Sequence, residues 1–308
     1  MPVPDDRTST RLVDALNALF GRHPGARAAH AKGICCRGSF RATPEASQLT
    51  RAAHMSGREV PVTVRFSNGA GHPGLPDGMP DGRGLAVRFH LPDGGHTDLL
   101  SITTPIFPAR VPEDFIELIS VLMPEPGQDG PNPRKIEEFK KAHPELRAAV
   151  ELALAPPVLA SYAQRTYWAV HAFRFTNAAG REQYIRYTWR PDAGTVTAPE
   201  RKDRDASYLQ SELRARLAEQ PVIFTLHVQL AEPGDDVNDP ARAWPHDRRS
   251  VLAGVLEISG VVADQAGGCE ALIFDPSALT DGIAMSDDAI LNARPGAYSV
   301  SYKRRTSP

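Results

Sequence analysis

The sequence predicts an α+β fold in which an antiparallel β-barrel carries helices on its outside. Three observations predict it. Many short segments alternate apolar and polar residues, Gly- and Pro-rich turns separate them, and stretches rich in Glu, Lys, Leu and Ala with a helical period interrupt them. A barrel with attached helices accommodates 308 residues in one unit, and no internal repeat, low-complexity segment or linker divides the chain. Residues 1–308 are therefore expected to form a single domain with an N-terminal helical arm over about residues 1–25.

In chain order, Leu12, Val13, Leu16, Leu19 and Phe20 keep one helical stripe, so Thr10–Phe20 is expected to be a helix that Gly21 ends. From Ala31 the period changes. Val62, Val64 and Phe66 alternate with Thr63, Arg65 and Ser67, which puts Arg65 and Ser67 on one face of a strand. Leu85, Val87 and Phe89 alternate likewise, after a Gly/Pro-rich loop over Gly69–Gly84. Arg134–His143 and Pro144–Leu154 read as helices. Strands return at Thr166–Phe175, Tyr184–Trp189, Val222–Leu230 and Val255–Ile258, with helices at Ser207–Leu217 and Asp287–Ala293.

The bulk numbers exclude several classes. With 41% hydrophobic and 23% charged residues and a formal charge of −2, the composition is that of a soluble globular protein without the basic excess of a nucleic-acid binder. Lys303-Arg304-Arg305 reads as a short solvated tail. The first ten residues lack the apolar core of a signal peptide, and no apolar run reaches membrane-spanning length, so neither membrane nor nucleic acid is expected as a partner and a cytoplasmic location is. Cys35, Cys36 and Cys269 are too few and oddly numbered for a disulfide framework and are expected to be reduced.

Ten histidines are present, most of them ordinary: His23, His54, His72, His96, His143 and His246 lie in polar or turn contexts, and His90, His171 and His227 within strands. No His-x-x-x-His or Cys-x-x-Cys pair suits zinc, the Gly69–Gly84 loop lacks a phosphate-binding ending, and no Gly-x-Ser-x-Gly elbow occurs. His30 differs. It sits in Arg27-Ala28-Ala29-His30-Ala31-Lys32-Gly33, among small residues with an arginine three positions before it. Near the other end, Arg294 and Tyr298 are four apart, the spacing that puts two side chains on one helix face.

These stretches, with three others between them, resemble the haem catalase family, and within it the short catalase-related peroxidases. His30-Ala31-Lys32-Gly33 is similar to the family's distal histidine motif and Val64-Arg65-Phe66-Ser67 to its Val-Arg-Phe-Ser strand. Asp81-Gly82-Arg83-Gly84-Leu85-Ala86 follows its Asp-x-Arg-Gly-Phe-Ala pattern, Thr104-Pro105-Ile106-Phe107 its Thr-Pro-x-Phe segment, and Phe274-Asp275-Pro276 through Arg294-x-x-x-Tyr298 its proximal side. The motifs occur in one order from about Arg27 to Arg305. The resemblance implies a catalase-type antiparallel barrel with surrounding helices, ending without the C-terminal helical domain of long catalases, and a haem cofactor, haem b (heme b, iron protoporphyrin IX).

It also implies roles. His30 is the distal base, Ser67 orients its ring, and Tyr298 binds iron as phenolate, the metal ligand. A free phenol titrates near pH 10, so that ligand needs help from the iron and from the positive charge of Arg294. Arg27, Arg65 and Arg305 pair with haem propionates, and Phe107 packs beside the ring. Apart from the resemblance, Phe107 reads as a core residue and the arginines as surface charge. Three departures stand out. Ile102 replaces an asparagine that supplies the second distal hydrogen bond, Pro295 follows Arg294 and restricts it, and the Pro112–Phe115 segment lacks one pocket phenylalanine.

The expected function is a haem-dependent peroxidase, an oxidoreductase that reduces hydrogen peroxide or organic hydroperoxides with small organic electron donors and has weak catalase activity. Peroxide and a small organic reductant are its implied partners, and a homo-oligomer is compatible with this reading. Two alternatives stay open: a donor-independent fatty-acid hydroperoxide isomerase or lyase on the same fold, and a non-catalytic haem-binding protein.

Overall fold

In the computed structural model, which describes residues 6–197 and 205–307, the chain runs α1 (Asp6–Phe20), β1 (Gly33–Ala42), α2 (Pro44–Leu49), β2 (Glu59–Asn68), β3 (Arg83–His90), β4 (His96–Ile102), α3 (Pro112–Leu122), α4 (Pro133–Ala142) and α5 (Arg147–Leu154). It continues with β5 (Tyr167–Thr176), β6 (Glu182–Pro191), α6 (Tyr208–Glu219), β7 (Val222–Leu230), β8 (Ser250–Val261), β9 (Ile283–Met285) and α7 (Ala289–Thr306). Among the described residues the strands pair antiparallel in the order β4-β3-β2-β1-β8-β7-β6-β5, with β9 beside β5. Pairing of Ile102 with Trp168 joins β4 to β5, so eight strands close and no edge of the barrel is left open.

Alternation decides which face is which. On β2, Val60, Val62, Val64 and Phe66 point into the barrel, where they meet Phe40, Val87, Trp189, Phe224 and Leu256. The intervening Arg65 and Ser67 point outward yet are only 3% and 4% exposed. The segment around His30, together with Glu270, covers this end of β2, where Ser67 meets His30 and Arg65 meets the His30 and Ala31 carbonyls and Glu270.

α7 is longer than the Asp287–Ala293 expectation. Asp288 caps it, accepting from the backbone N–H of Ile290 at 2.8 Å and Leu291 at 3.1 Å, and the helix runs on through Pro295 to Thr306. Interior proline costs a helix ~3 kcal/mol, and here tertiary packing offsets it. α1 crosses so close to α7 that a Cβ on Gly296 would lie 2.1 Å from Ser9 Oγ.

Four further expectations need correction. Lys303-Arg304-Arg305 is the last turn of α7, not a solvated tail: Arg304 pairs with Asp14 of α1 at 2.6 Å and Arg305 donates to the Leu272 carbonyl at 3.0 Å. Cys35 and Cys269 are joined as a disulfide, with Cα atoms 5.9 Å apart, and only Cys36 is a free thiol. Val262 N–H donates to the Cys35 carbonyl and brings the segment after β8 beside β1, a proximity no local pattern carries. His54 does lie in a turn, the 3-10 segment Ala53–Met55, but it is buried at 2% exposure against Phe40 and Phe89 rather than in polar surroundings. Finally, Pro144–Leu154 is a short 3-10 turn followed by α5 rather than one helix. No helix among the described residues is long and apolar enough to cross a membrane.

Candidate active site

Two rungs of residues cross the outer face of β2–β5. The pairing register sets Ser67, Gly84, Ile102 and Trp168 side by side, and Arg65, Ala86 and Leu100 form the rung next to them. These residues floor a cavity with about 260 Å³ of room for the centres of water molecules, walled by α1 through Leu12, Val13 and Leu16 and by α7 through Arg294 and Tyr298. One water needs only ~10–15 Å³ by the same measure, so the space suits a large, mainly apolar ligand. His30, Ser67, Ile102, Arg27, Arg65, Phe107, Arg294, Tyr298 and Arg305 all line it. Residues spread from position 27 to 305 therefore share one cavity.

His30 lies on the strand side. It is the one non-glycine residue with positive φ among the described residues, at 56°, in the left-handed region that side chains seldom occupy. Its N–H donates to the Gly69 carbonyl and that of Ala31 to Ala70, which fixes the backbone there. The ring Nδ1 is 2.9 Å from Ser67 Oγ. A Cβ on Gly84 would stand 2.7 Å from Ser67 Oγ and 2.9 Å from His30 Nδ1, so the close seating requires glycine. Burial, then the charges of Arg65, Arg294 and Arg27, push the His30 pKa down to about 3, which keeps the ring neutral.

On the helical side, Arg294 Nε donates to the Tyr298 oxygen at 2.9 Å and Nη2 donates to the same atom. The i, i+4 geometry survives Pro295. His171, which the sequence did not single out, and Asp288, which lies within the proximal stretch, form a second pair close to Arg294. His171 Nδ1 contacts Asp288 Oδ2 at 2.6 Å, with both side chains buried, and the His171 pKa is lowered by burial and by the charges of Arg294 and Arg186 against the opposing pull of Asp288. β5 loses register with β6 between Ala169 and Phe173, and His171 sits in that irregular stretch.

At the rim, Arg65 Nε donates to Glu270 Oε1 at 2.8 Å, while its Nη1 and Nη2 donate to the carbonyls of His30 and Ala31. Arg27 donates to Glu270 Oε2 and, at 3.1 Å each, to the carbonyls of Cys269 and Leu272. Arg305 Nη1 is buried without a partner. Burial and the charges of Arg65 and Arg305 lower the Arg27 pKa to about 8, and burial is the main cause that lowers Arg65 to about 10. Glu270 was not foreseen either. Phe107 stacks on Phe115 with ring centroids 5.3 Å apart, and both line the cavity, so the Pro112–Phe115 segment does supply one aromatic ring.

A catalase family model matches residues 10–308. The chain is 39% identical over 302 residues to a catalase-related peroxidase of Mycolicibacterium paratuberculosis, covering 97% of this chain and 95% of that protein. A catalase-related peroxidase of Synechococcus elongatus is 34% identical over 301 residues, covering 97% and 89%. Among solved structures, a fungal catalase superposes with a TM-score of 0.83 at 22% identity over 93% of this chain and 60% of its own. Catalase A from Saccharomyces cerevisiae superposes at 0.82 and 21% identity, over 93% and 62%. At that identity the structures speak for the fold: an antiparallel barrel with flanking helices.

Proposed function

Because the chain belongs to the catalase family, we propose that it is a haem-dependent peroxidase that reduces hydrogen peroxide or organic hydroperoxides with small organic donors and dismutates hydrogen peroxide weakly. The observation that carries this reading is the facing of two pairs across one cavity, His30 with Ser67 and Tyr298 with Arg294.

The residues present fit haem b. Tyr298 offers the only phenol whose oxygen accepts two guanidinium N–H groups in this cavity among the described residues, and it would hold the iron. Arg27, Arg65 and Arg305 would hold the carboxylates of a propionate-bearing ring, and the buried Nη1 of Arg305 has no hydrogen-bond acceptor. Phe107, Phe115, Leu100 and Ile102 would meet its apolar body. When bound, the haem would supply the redox chemistry.

The chain's own work is positioning and proton transfer. A neutral His30 that donates from Nδ1 to Ser67 Oγ leaves the Nε2 lone pair free. Nε2 would take the proton from one peroxide oxygen and return it to the other, which leaves as water or alcohol as the O–O bond breaks, the two electrons coming by way of the bound haem. Burial keeps His30 ready by disfavouring the imidazolium. Ile102 offers no hydrogen-bond donor, so nothing at that position orients a second peroxide for dismutation.

A second reading, donor-independent rearrangement of fatty-acid hydroperoxides, is favoured by the same Ile102 and by Leu12, Val13 and Leu16, which make the cavity apolar. The test is an absorption spectrum of the purified protein followed by peroxide consumption with and without a dye donor. A haem band with donor-dependent turnover supports the peroxidase. Turnover that ignores the donor supports the isomerase, and no haem band sinks both.

A further inference from the structure

Two of the three rim arginines are already engaged by a carboxylate. Glu270 accepts from Arg65 Nε with one oxygen and from Arg27 Nη1 with the other. The Arg65 side chain is only 4% exposed and that of Arg27 15%, whereas that of Glu270 is 33% exposed. Arg305 completes the cluster, with a buried Nη1 that finds no acceptor. One carboxylate against three guanidiniums leaves the cluster net positive even with Glu270 in place.

We infer that Glu270 is a surrogate carboxylate: it holds the arginine rim charged and in place before the cofactor arrives, and the cofactor's own carboxylate displaces it on loading. This rests on the haem reading above. Unpaired buried guanidiniums are costly, so a carboxylate that bridges Arg27 and Arg65 stabilises the unloaded fold. The same bridge occupies donors that a propionate needs, so it opposes binding. Being a third exposed, Glu270 can turn into water once displaced. Its two effects have opposite signs, which separates this role from that of an ordinary structural ion pair.

The test compares the full chain, produced without haem, as wild type and Glu270→Gln. Thermal melting is measured first, then titration with iron protoporphyrin IX and with its dimethyl ester, which lacks the two charges. Glu270→Gln is expected to melt lower when unloaded and yet to bind iron protoporphyrin IX about tenfold more tightly, the scale of one lost competing charged hydrogen bond, with no gain for the ester. Weaker binding in the variant, unchanged melting, or an equal gain for the ester overturns the proposal. Should Glu270→Gln not fold, Glu270→Asp, whose shorter arm cannot span both arginines, is expected to show a smaller gain of the same sign, and no gain overturns the proposal. A wild type that binds neither ring overturns the haem reading and this inference together. A wild type that binds iron protoporphyrin IX while the variant binds it identically overturns this inference alone.

Discussion

Arg294 donates to the oxygen of Tyr298 through two nitrogens from one turn earlier on α7, although Pro295 stands directly between them in sequence. The helix keeps its path because both of its ends are held. Asp288 caps the first turn and Arg304 reaches Asp14 of α1 from the last. The phenol oxygen is thereby presented to the cavity with two guanidinium N–H groups donating to it.

His30→Ala is expected to retain haem while slowing the peroxide-driven spectral change by at least about two orders of magnitude, the usual contribution of a positioned general base. Stopped-flow mixing with hydrogen peroxide measures it. An unaltered rate would make His30 a structural residue.

The same step should show little pH dependence near neutrality. Peroxide cleavage needs neutral His30, and its pKa lies at about 3 rather than 6.5. The rate is expected to stay level as pH falls from about 8 to about 5, where an ordinary histidine near 6.5 would already be protonating. Stability behaves differently. The unfolded chain protonates His30 and His54 below about 6.5 while the folded chain keeps both neutral until about 3, so their contribution is full above 6.5 and is lost progressively as pH falls towards 3. A rate inflection near pH 6.5 would contradict the burial argument.

Most of the barrel was legible because its strands alternate cleanly; β2, β3, β5, β6, β7 and β8 each overlap an expected segment. β4 was not foreseen. Asp98 interrupts its apolar pattern, yet it is buried because Arg88 on β3 donates to both of its oxygens, at 2.8 and 2.6 Å. β1 and α3 also escaped, β1 because Arg37, Gly38 and Ser39 break its run of apolar residues. The nine site residues named from the sequence meet in one cavity because local motifs mark them. Glu270 and His171 carry no such mark, and Asp288 falls within the proximal motif without any sign of its pairing with His171. Each matters through a partner more than a hundred positions away, and a single sequence does not display that distance being closed. A buried histidine on a strand was a weak signal for His171, and an Asp just before a helix signalled only the cap.

Asp288→Ala is expected to lower stability by about 1–3 kcal/mol, since it removes the α7 cap and strands the buried His171. Asp288→Asn should cost less, because an amide oxygen can still cap. Urea unfolding of the three proteins distinguishes them, and two variants indistinguishable from wild type would remove the pair from the account.

Ile102→Asn is expected to raise oxygen release from hydrogen peroxide while changing dye oxidation much less. An amide donor on the rung beside Gly84 and Trp168 could orient a second peroxide, whereas organic donors deliver single electrons and need no such placement. Both activities moving together at matched haem content would reject this view of the distal wall.

The proposal at the centre is that Tyr298, whose oxygen accepts from Arg294, is the residue that would hold the iron, and the absorption spectrum of purified Tyr298→Phe tests it most directly. The phenyl ring keeps the packing and loses only the oxygen, so the fold should survive, as circular dichroism would show. The account predicts a folded protein that has lost most of its haem band relative to wild type, together with its peroxidase activity. A folded Tyr298→Phe with an unchanged haem spectrum would contradict it.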